Sequence, residues 1–237
     1  KRIFCKRILG QDTFAPRGAD TQVRPYEPLK DCMSGDLYAI GDIHGCLNKL
    51  VDLYFKVRPT ADDRLVFLGD YIDRGPDSKG VIKYLLNLRE HFPQTVFLRG
   101  NHEQIFLDAL SAQGLWRGET LHDLSAQWRR DWNGPNEDIK LFFQNGGDMT
   151  LRSGYGTHMG NLVVPPEHLA FLEGTRFWYE EENFLFVHAS ASRCVPASRM
   201  DPFVLLWSRD LAWHDGPVDD GPVIVAGHTW REDHSYI

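Results

Sequence analysis

Three short polar blocks, each set directly after an apolar run, constrain this chain more than any other feature. They are Gly-Asp-Ile-His-Gly at Gly41–Gly45, Gly-Asp-Tyr-Ile-Asp-Arg-Gly at Gly69–Gly75 and Gly-Asn-His-Glu at Gly100–Glu103. The preceding runs, Leu37–Ile40, Leu65–Leu68 and Val96–Leu98, have the composition and length of buried strands. Carboxylate, imidazole, amide and guanidinium groups therefore leave the ends of adjacent strands together. Open sheets bind ligands in the crevice beyond the carboxyl ends of their strands. Hard oxygen donors mixed with imidazoles suit paired divalent cations, and paired cations suit in-line attack on phosphorus.

The segments between the blocks carry a helical period. Leu47, Leu50, Val51, Tyr54 and Phe55 mark one helix, and Val81, Ile82, Leu85, Leu86 and Leu88 a second. A third is expected to start near Glu103. The β-α-β-α-β order implies parallel strands joined by right-handed crossovers, hence an α/β fold. Phe184–Val187 and Val223–Ala226 read as later strands, and Pro166–Leu172 as a short helix entered through Pro-Pro.

The first 34 residues differ. Seven basic residues face four acidic ones, a net of +3 against −7 for the whole chain, so residues 35–237 carry −10. With three prolines and no sustained period, residues 1–34 are expected to be a basic, extended or poorly ordered arm. Its start resembles the n-region of a signal peptide, but no apolar stretch of the required length follows. The catalytic domain is then residues 35–237. Within it, about residues 115–135 hold Trp116, Trp128 and Trp132 among Arg117, Arg129 and Arg130. This stretch is either a helical cap packed on the core or a lid over the site.

Composition excludes some partners. No apolar run approaches the roughly 20 residues of a membrane-spanning helix. The acidic balance argues against a general nucleic-acid binder, whose footprint is a basic patch. Cys5, Cys32, Cys46 and Cys194 are far apart and form no C-x-x-C pair. Reduced thiols and a cytoplasmic location follow as expectations. Cys46 reads as a small residue opening a helix, because the nearby oxygen ligands suit harder metals.

Each candidate site residue has a role its chemistry allows. Asp42 and His44, two apart at a strand end, can meet at one ion. Asp70 is placed to bridge two ions. Asn101 offers the second ion a neutral oxygen, and His188 and His228, each closing a later strand, can complete that shell. His102 follows a ligand without being one, and a carboxylate such as Asp73 can hold one ring nitrogen so that the other donates a proton. Arg74 presents a planar fork to phosphate oxygens, and Arg209, in Leu-Leu-Trp-Ser-Arg-Asp, is the second candidate fork. Glu103 reads as a supporting or helix N-terminal residue.

These blocks, with His-Ala-Ser at His188–Ser190 and Gly-His-Thr at Gly227–Thr229, resemble in order the signature of the phosphoprotein phosphatases within the calcineurin-like metallophosphoesterases. Residues 64–79, Asn145–Gly147 and Leu206–Asp210 are most similar to the bacterial branch of that family. The resemblance implies a central β-sandwich flanked by helices, with a dinuclear metal site at the strand C-terminal ends. It implies Asp42, His44 and Asp70 on one metal, and Asp70, Asn101, His188 and His228 on the other. His102 becomes the general acid, Asp73 its orienting partner, and Arg74 and Arg209 the phosphate clamps, with Asn101 also beside the phosphate. Manganese is the implied ion, with iron and zinc as alternatives.

The expected function is a metal-dependent phosphomonoesterase, foremost a protein serine/threonine phosphatase. A hydroxide bridging two ions about 3.5–4 Å apart attacks phosphorus in line, while His102 protonates the leaving alkoxide. The expected substrates are phosphoproteins or small phosphate esters, with neither nucleic acid nor membrane as a partner. Two alternatives stay open: a dinucleoside polyphosphate hydrolase of the diadenosine tetraphosphatase kind, and an inactive metal-stabilised binding module. Ser190 stands where relatives commonly carry glycine, which could alter the backbone or add a hydroxyl near the site. The chain starts at Lys1 rather than methionine and stops at Ile237, soon after His228, where relatives continue with further strands. A short protein and a shortened chain are both open readings.

Overall fold

Strands that are apolar at every position must be covered on both faces. The computed structural model, which describes residues 5–8 (backbone only), 35–156, 162–192, 194–210 and 221–229, meets that demand with two stacked sheets between helical layers. The first sheet has the order β1-β2-β3-β4, with β1 at Cys5–Ile8, β2 at Leu37–Ile40, β3 at Arg64–Phe67 and β4 at Val96–Phe97. β2, β3 and β4 run parallel, and β1 pairs antiparallel to β2. The second sheet joins β5 (Trp178–Glu181), β6 (Phe184–Val187) and β7 (Val223–Val225) in that order. β5 and β6 form an antiparallel hairpin, and β7 lies parallel to β6.

The two-residue period of a strand assigns each side chain to a layer. Leu37, Ala39, Val66, Leu68 and Leu98 of the first sheet share one apolar cluster with Phe184 and Phe186 of the second, which is the sandwich interior. Their neighbours Ile40, Leu65, Phe67 and Phe97 face the other way, onto α1 (Leu47–Val57), α2 (Ser78–His91) and α3 (Asn101–Ala112). Leu185, Val187 and Ile224 point outward from the second sheet and pack with Ala197 and Leu205. The parallel sheet and the β-sandwich are thus one architecture, and the family-implied fold is the observed one.

Between α3 and β5 lie α4 (Leu121–Leu124), α5 (Ala126–Arg129), α6 (Pro135–Gln144), α7 (Gly147–Thr150), a tight π-type turn at Leu151–Tyr155, and α8 (Pro166–Glu173). After β6, α9 (Pro202–Trp207) covers the second sheet.

The structure adds two details to these expectations. Within the N-terminal arm, Cys5–Ile8 is extended and forms the edge strand β1, in register from Cys5 opposite Ile40 to Ile8 opposite Leu37. The free edge of β2 offers unpaired backbone groups, and pairing with them needs no hydrophobic period in the added strand. Residues 9–34 lie outside the described residues. The third helix starts at Asn101, two residues earlier than expected, because Gly100 supplies the extended N-cap and Glu103 then falls at the third helical position.

Phe186 has no solvent exposure and sits at the centre of the sandwich interior. Phe186→Ala should destabilise the protein by about 3–5 kcal/mol in urea unfolding. Phe55→Ala, at a side chain 66% exposed on α1, should change stability by no more than about 0.5 kcal/mol. Similar losses at the two positions would contradict the layer assignment.

Candidate active site

The strand-end blocks turn through backbone conformations that side chains rarely adopt. Seven described residues other than glycine have left-handed φ, and five of them are site candidates: His44 (48°), Asp70 (56°), Asp73 (67°), Arg74 (63°) and His228 (60°). Each costs on the order of 1–3 kcal/mol and persists only where the surroundings over-determine it. Here they do. Ile43 and His44 N–H donate to the Asp70 carbonyl at 3.0 and 2.8 Å, and Gly45 N–H to Tyr71 O at 2.8 Å. The buried Glu103 carboxylate accepts from the N–H groups of Asp70 (2.8 Å), Tyr71 (2.8 Å), Ile72 (3.3 Å) and Gly100 (2.9 Å). A Cβ on Gly100 would lie 2.2 Å from Asp70 Oδ1. Only glycine lets the start of α3 come so close to that carboxylate.

Asp70 lies at the middle. Its Oδ2 is 3.4 Å from His44 Nε2, and its Oδ1 is 3.3 Å from His188 Nε2. Two donor groups share it, His44–Asp70–His102 and Asp70–His188–His228, with the ligand atoms of each within 4.8 Å of one another. Asp42 spans the pair, its Oδ2 3.9 Å from His44 Nε2 and its Oδ1 accepting the His228 N–H at 3.1 Å. Asn101 Oδ1 is 3.0 Å from His188 Nε2. Cys46 opens α1 at its N-cap and belongs to neither donor group.

The ring tautomers follow from their outer partners. His44 Nδ1 donates to Ile72 O at 3.0 Å and His188 Nδ1 to Leu68 O at 2.8 Å, because a carbonyl can only accept. Their Nε2 lone pairs therefore point inward. His188 Nε2, Asn101 Oδ1 and Asp70 Oδ1 are then three acceptors aimed at a common space, an arrangement that repels itself unless a cation stands between them. The Nε2 of His228 is buried with no partner among the described residues, which adds an orphaned polar atom. This donor set fits divalent ions with mixed oxygen and nitrogen ligands.

The electrostatics agree. Burial, reinforced by the charge of neighbouring groups, holds His44 and His228 down at about 3, so both rings are neutral and able to ligate a cation. Burial pushes Asp70 up to about 7 and Glu103 up to about 7, each raised further by a nearby carboxylate. Crowded buried carboxylates of this kind are the usual environment of a metal, whose charge reverses the shift.

His102 sits beside the donors with a carboxylate partner of its own. Its Nδ1 is 2.7 Å from Asp73 Oδ2, and its buried Nε2, which has no hydrogen-bond partner among the described residues, lies 3.9 Å from Asp70 Oδ2. The sequence reading set it apart from the ligands, whereas the geometry brings its Nε2 to the first donor group. The exposed Arg74 reaches in, with Nη1 3.0 Å from His44 Nε2. Arg209 is exposed just beyond α9, near enough that its charge helps to lower His228. Ser190 is buried and is not among the residues with left-handed φ, so serine there strains nothing.

The tryptophans of the insertion separate. Trp116 is buried, with its indole N–H on Glu173 at 2.5 Å, and Trp132 stacks on His122 at 3.9 Å. Trp128 stacks on Trp207 at 5.4 Å, and Trp207 in turn meets His228 edge-on at 6.3 Å. Sequence reasoning missed Trp207, although it lies in the block chosen for Arg209. It also missed Thr150 and Ser78, whose hydroxyls meet Asp73, and no local signal marks them.

Glu103→Gln tests the backbone clamp. The amide would turn a donor toward N–H groups that need an acceptor, so stability should fall by about 2–3 kcal/mol in urea unfolding, with weaker metal uptake. Unchanged stability would show that the clamp is dispensable.

Comparison with known proteins matches this arrangement to a family. The calcineurin-like phosphoesterase family matches residues 36–234. Serine/threonine-protein phosphatase 1 of Salmonella typhimurium (strain LT2) is 45% identical over 197 residues, 81% of this chain and 78% of that protein. The symmetrical bis(5'-nucleosyl)-tetraphosphatase of Pseudomonas fluorescens is 38% identical over 89 residues, 37% of this chain and 30% of that protein. Serine/threonine-protein phosphatase rdgC of Drosophila melanogaster is 38% identical over 90 residues, 37% of this chain and 14% of that protein. The chain belongs to the calcineurin-like phosphoesterase family and is a metal-dependent phosphatase.

Proposed function

We propose that this phosphatase hydrolyses phosphoserine and phosphothreonine esters in proteins, with small aryl phosphates as permissive substrates and manganese as the activating ion. The observation that carries this reading is the His102–Asp73 pair, 2.7 Å apart and opening through a free Nε2 onto the donor groups. A serine or threonine alkoxide is a poor leaving group and needs a proton as the ester bond breaks. The similarity to a bacterial serine/threonine phosphatase over most of both chains supports the same substrate class.

Asp42, His44 and Asp70 would hold one ion, and Asp70, Asn101, His188 and His228 the other. Divalent ions held there would supply positive charge for the phosphoryl oxygens and for the acidity of the attacking water. Arg74 reaches the phosphoryl group from the rim and Arg209 from the α9 side, each with a planar fork that fixes its orientation as well as its charge. Asn101 lies beside the same phosphoryl oxygens. His102 gives its Nε2 proton to the leaving oxygen, while Asp73 keeps the ring turned and stabilises its charge before transfer.

Free Cys46 and Cys194 accord with a reducing compartment, and the cytoplasm is the proposed location. Among the described residues no helix is long and apolar enough to cross a membrane. A second reading, cleavage of dinucleoside polyphosphates, has the tetraphosphatase similarity in its favour. Its leaving group is already a stable phosphate anion, so it makes less use of the acid.

Phosphate release from a phosphoserine peptide and from diadenosine tetraphosphate, measured side by side with manganese, separates the readings. Faster turnover of the peptide is expected, and preference for the dinucleotide would replace the protein substrate. Chelation should abolish activity and manganese restore it; full activity under a strong chelator would exclude metal dependence. His102→Asn should lower kcat on the phosphopeptide by roughly 10²–10⁴-fold, with metal content retained.

A further inference from the structure

Asp73 has two carboxylate oxygens, and His102 uses only one of them. The other, Oδ1, accepts the hydroxyl of Thr150 at 2.5 Å. Thr150 ends α7, lies 77 residues away in sequence, and is fully buried. Its Oγ1 also receives the Asp73 N–H at 2.9 Å and stands 3.0 Å from Ser78 Oγ, which shares that N–H at 3.0 Å. A hydroxyl has one proton and two lone pairs. Because the carboxylate can only accept, the Thr150 proton goes to Asp73, and Ser78 must donate to Thr150. That leaves the Thr150 oxygen fully used and its direction fixed.

The cluster is anchored from behind. Ser153 Oγ donates to the Thr150 carbonyl at 2.8 Å and accepts the Lys79 N–H at 3.2 Å, which ties the end of α7 to the start of α2. Asp73 itself sits at a left-handed φ of 67° in a loop, with no helix or strand of its own to hold it.

We infer that Thr150 is the positioning residue of the general acid: its hydroxyl, aimed by Ser78, holds the Asp73 carboxylate in the one orientation that keeps Oδ2 on His102 Nδ1. The inference rests on the reading of His102 as proton donor. In that step the His102 Nε2–H bond breaks and the leaving oxygen gains the proton. Nδ1–H stays on the ring, bonded to Asp73, and no proton passes to Thr150. Removing the hydroxyl leaves Oδ1 buried without a donor and frees the carboxylate to rotate, so the ring loses its alignment to the leaving group.

Thr150→Val keeps the volume and removes the hydroxyl, while Thr150→Ser keeps the hydroxyl. Both are compared with wild type and His102→Asn on a phosphoserine peptide and on 4-nitrophenyl phosphate, with manganese content measured in each. Thr150→Val should lower kcat on the peptide by about 10–100-fold, the range for a lost hydrogen bond to a charged group. KM and metal content should hold, and the aryl phosphate, whose leaving group departs without help, should lose far less. Thr150→Ser should restore most of the peptide rate. In proton NMR, the low-field signal assigned to His102 Nδ1–H by its absence in His102→Asn should move or broaden in Thr150→Val and not in Thr150→Ser.

Equal losses on both substrates, or equal losses in valine and serine variants, would make Thr150 merely structural and overturn the inference. If His102→Asn spares neither substrate, the acid reading fails and takes this inference with it. If His102→Asn discriminates and Thr150→Val does not, the acid stands and only Thr150 falls. Should the valine variant fail to fold, Ser78→Ala, which unfixes the same hydroxyl, must show the same selective loss on the peptide.

Discussion

One buried carboxylate organises the platform. Glu103 gathers the N–H groups of Gly100, Asp70, Tyr71 and Ile72, and so fastens the start of α3 to the loop that leaves β3. The Asp70 carbonyl then takes the N–H groups of Ile43 and His44 and adds the loop that leaves β2. Three strand ends become one surface, although two of them turn through conformations that are unfavourable alone. The strain at His44, Asp70, Asp73 and Arg74 is local, while the hydrogen bonds that repay it come from other segments of the chain.

Rigid framing matters because the groups held there repel one another. Asp70 lies within 3.4 Å of the inward nitrogens of both His44 and His188, and Asn101 adds an oxygen 3.0 Å from His188. An apolar interior would not gather such groups unless opposite charge offset the hydration they have lost. Divalent charge would resolve this, and in the proposed function the same charge would face the phosphoryl group. His102 stands apart in one respect: its Nδ1 is committed to a carboxylate, whereas the inward-facing His44 and His188 commit theirs to main-chain carbonyls. A carboxylate favours a protonated ring where a carbonyl only orients a neutral one, and the proposed split between an acid and ligands within one cluster rests on that difference.

Much of this was legible before any coordinates. The strands that deliver Asp42, Asp70, Asn101, His188 and His228 are continuous apolar runs, and glycine marks the turn after every one of them except that of His188. What escaped depended on contacts between distant segments. Strand β1 forms because β2 has a free edge, and nothing in Cys5–Ile8 distinguishes it from the basic residues around it. Strand β5, Trp-Tyr-Glu-Glu, carries two carboxylates and lacks the continuous apolar run of the strands that lead to the site, yet it pairs with β6 along its length. Thr150 is an ordinary helix-end threonine until the fold sets it against Asp73. Trp207 is an apolar residue in an apolar run until Trp128 covers it and His228 meets its edge.

The central claim is that Asp70 belongs to two ions at once, and counting metal tests it most directly. Manganese titrated into metal-stripped protein, with bound metal determined by elemental analysis, should reach two ions per wild-type chain. Asp70→Asn should weaken both binding events, whereas His228→Ala should weaken one and leave the other near wild type. Loss of a single ion in Asp70→Asn, with the second bound as in wild type, would contradict the bridging role and the shared site built on it.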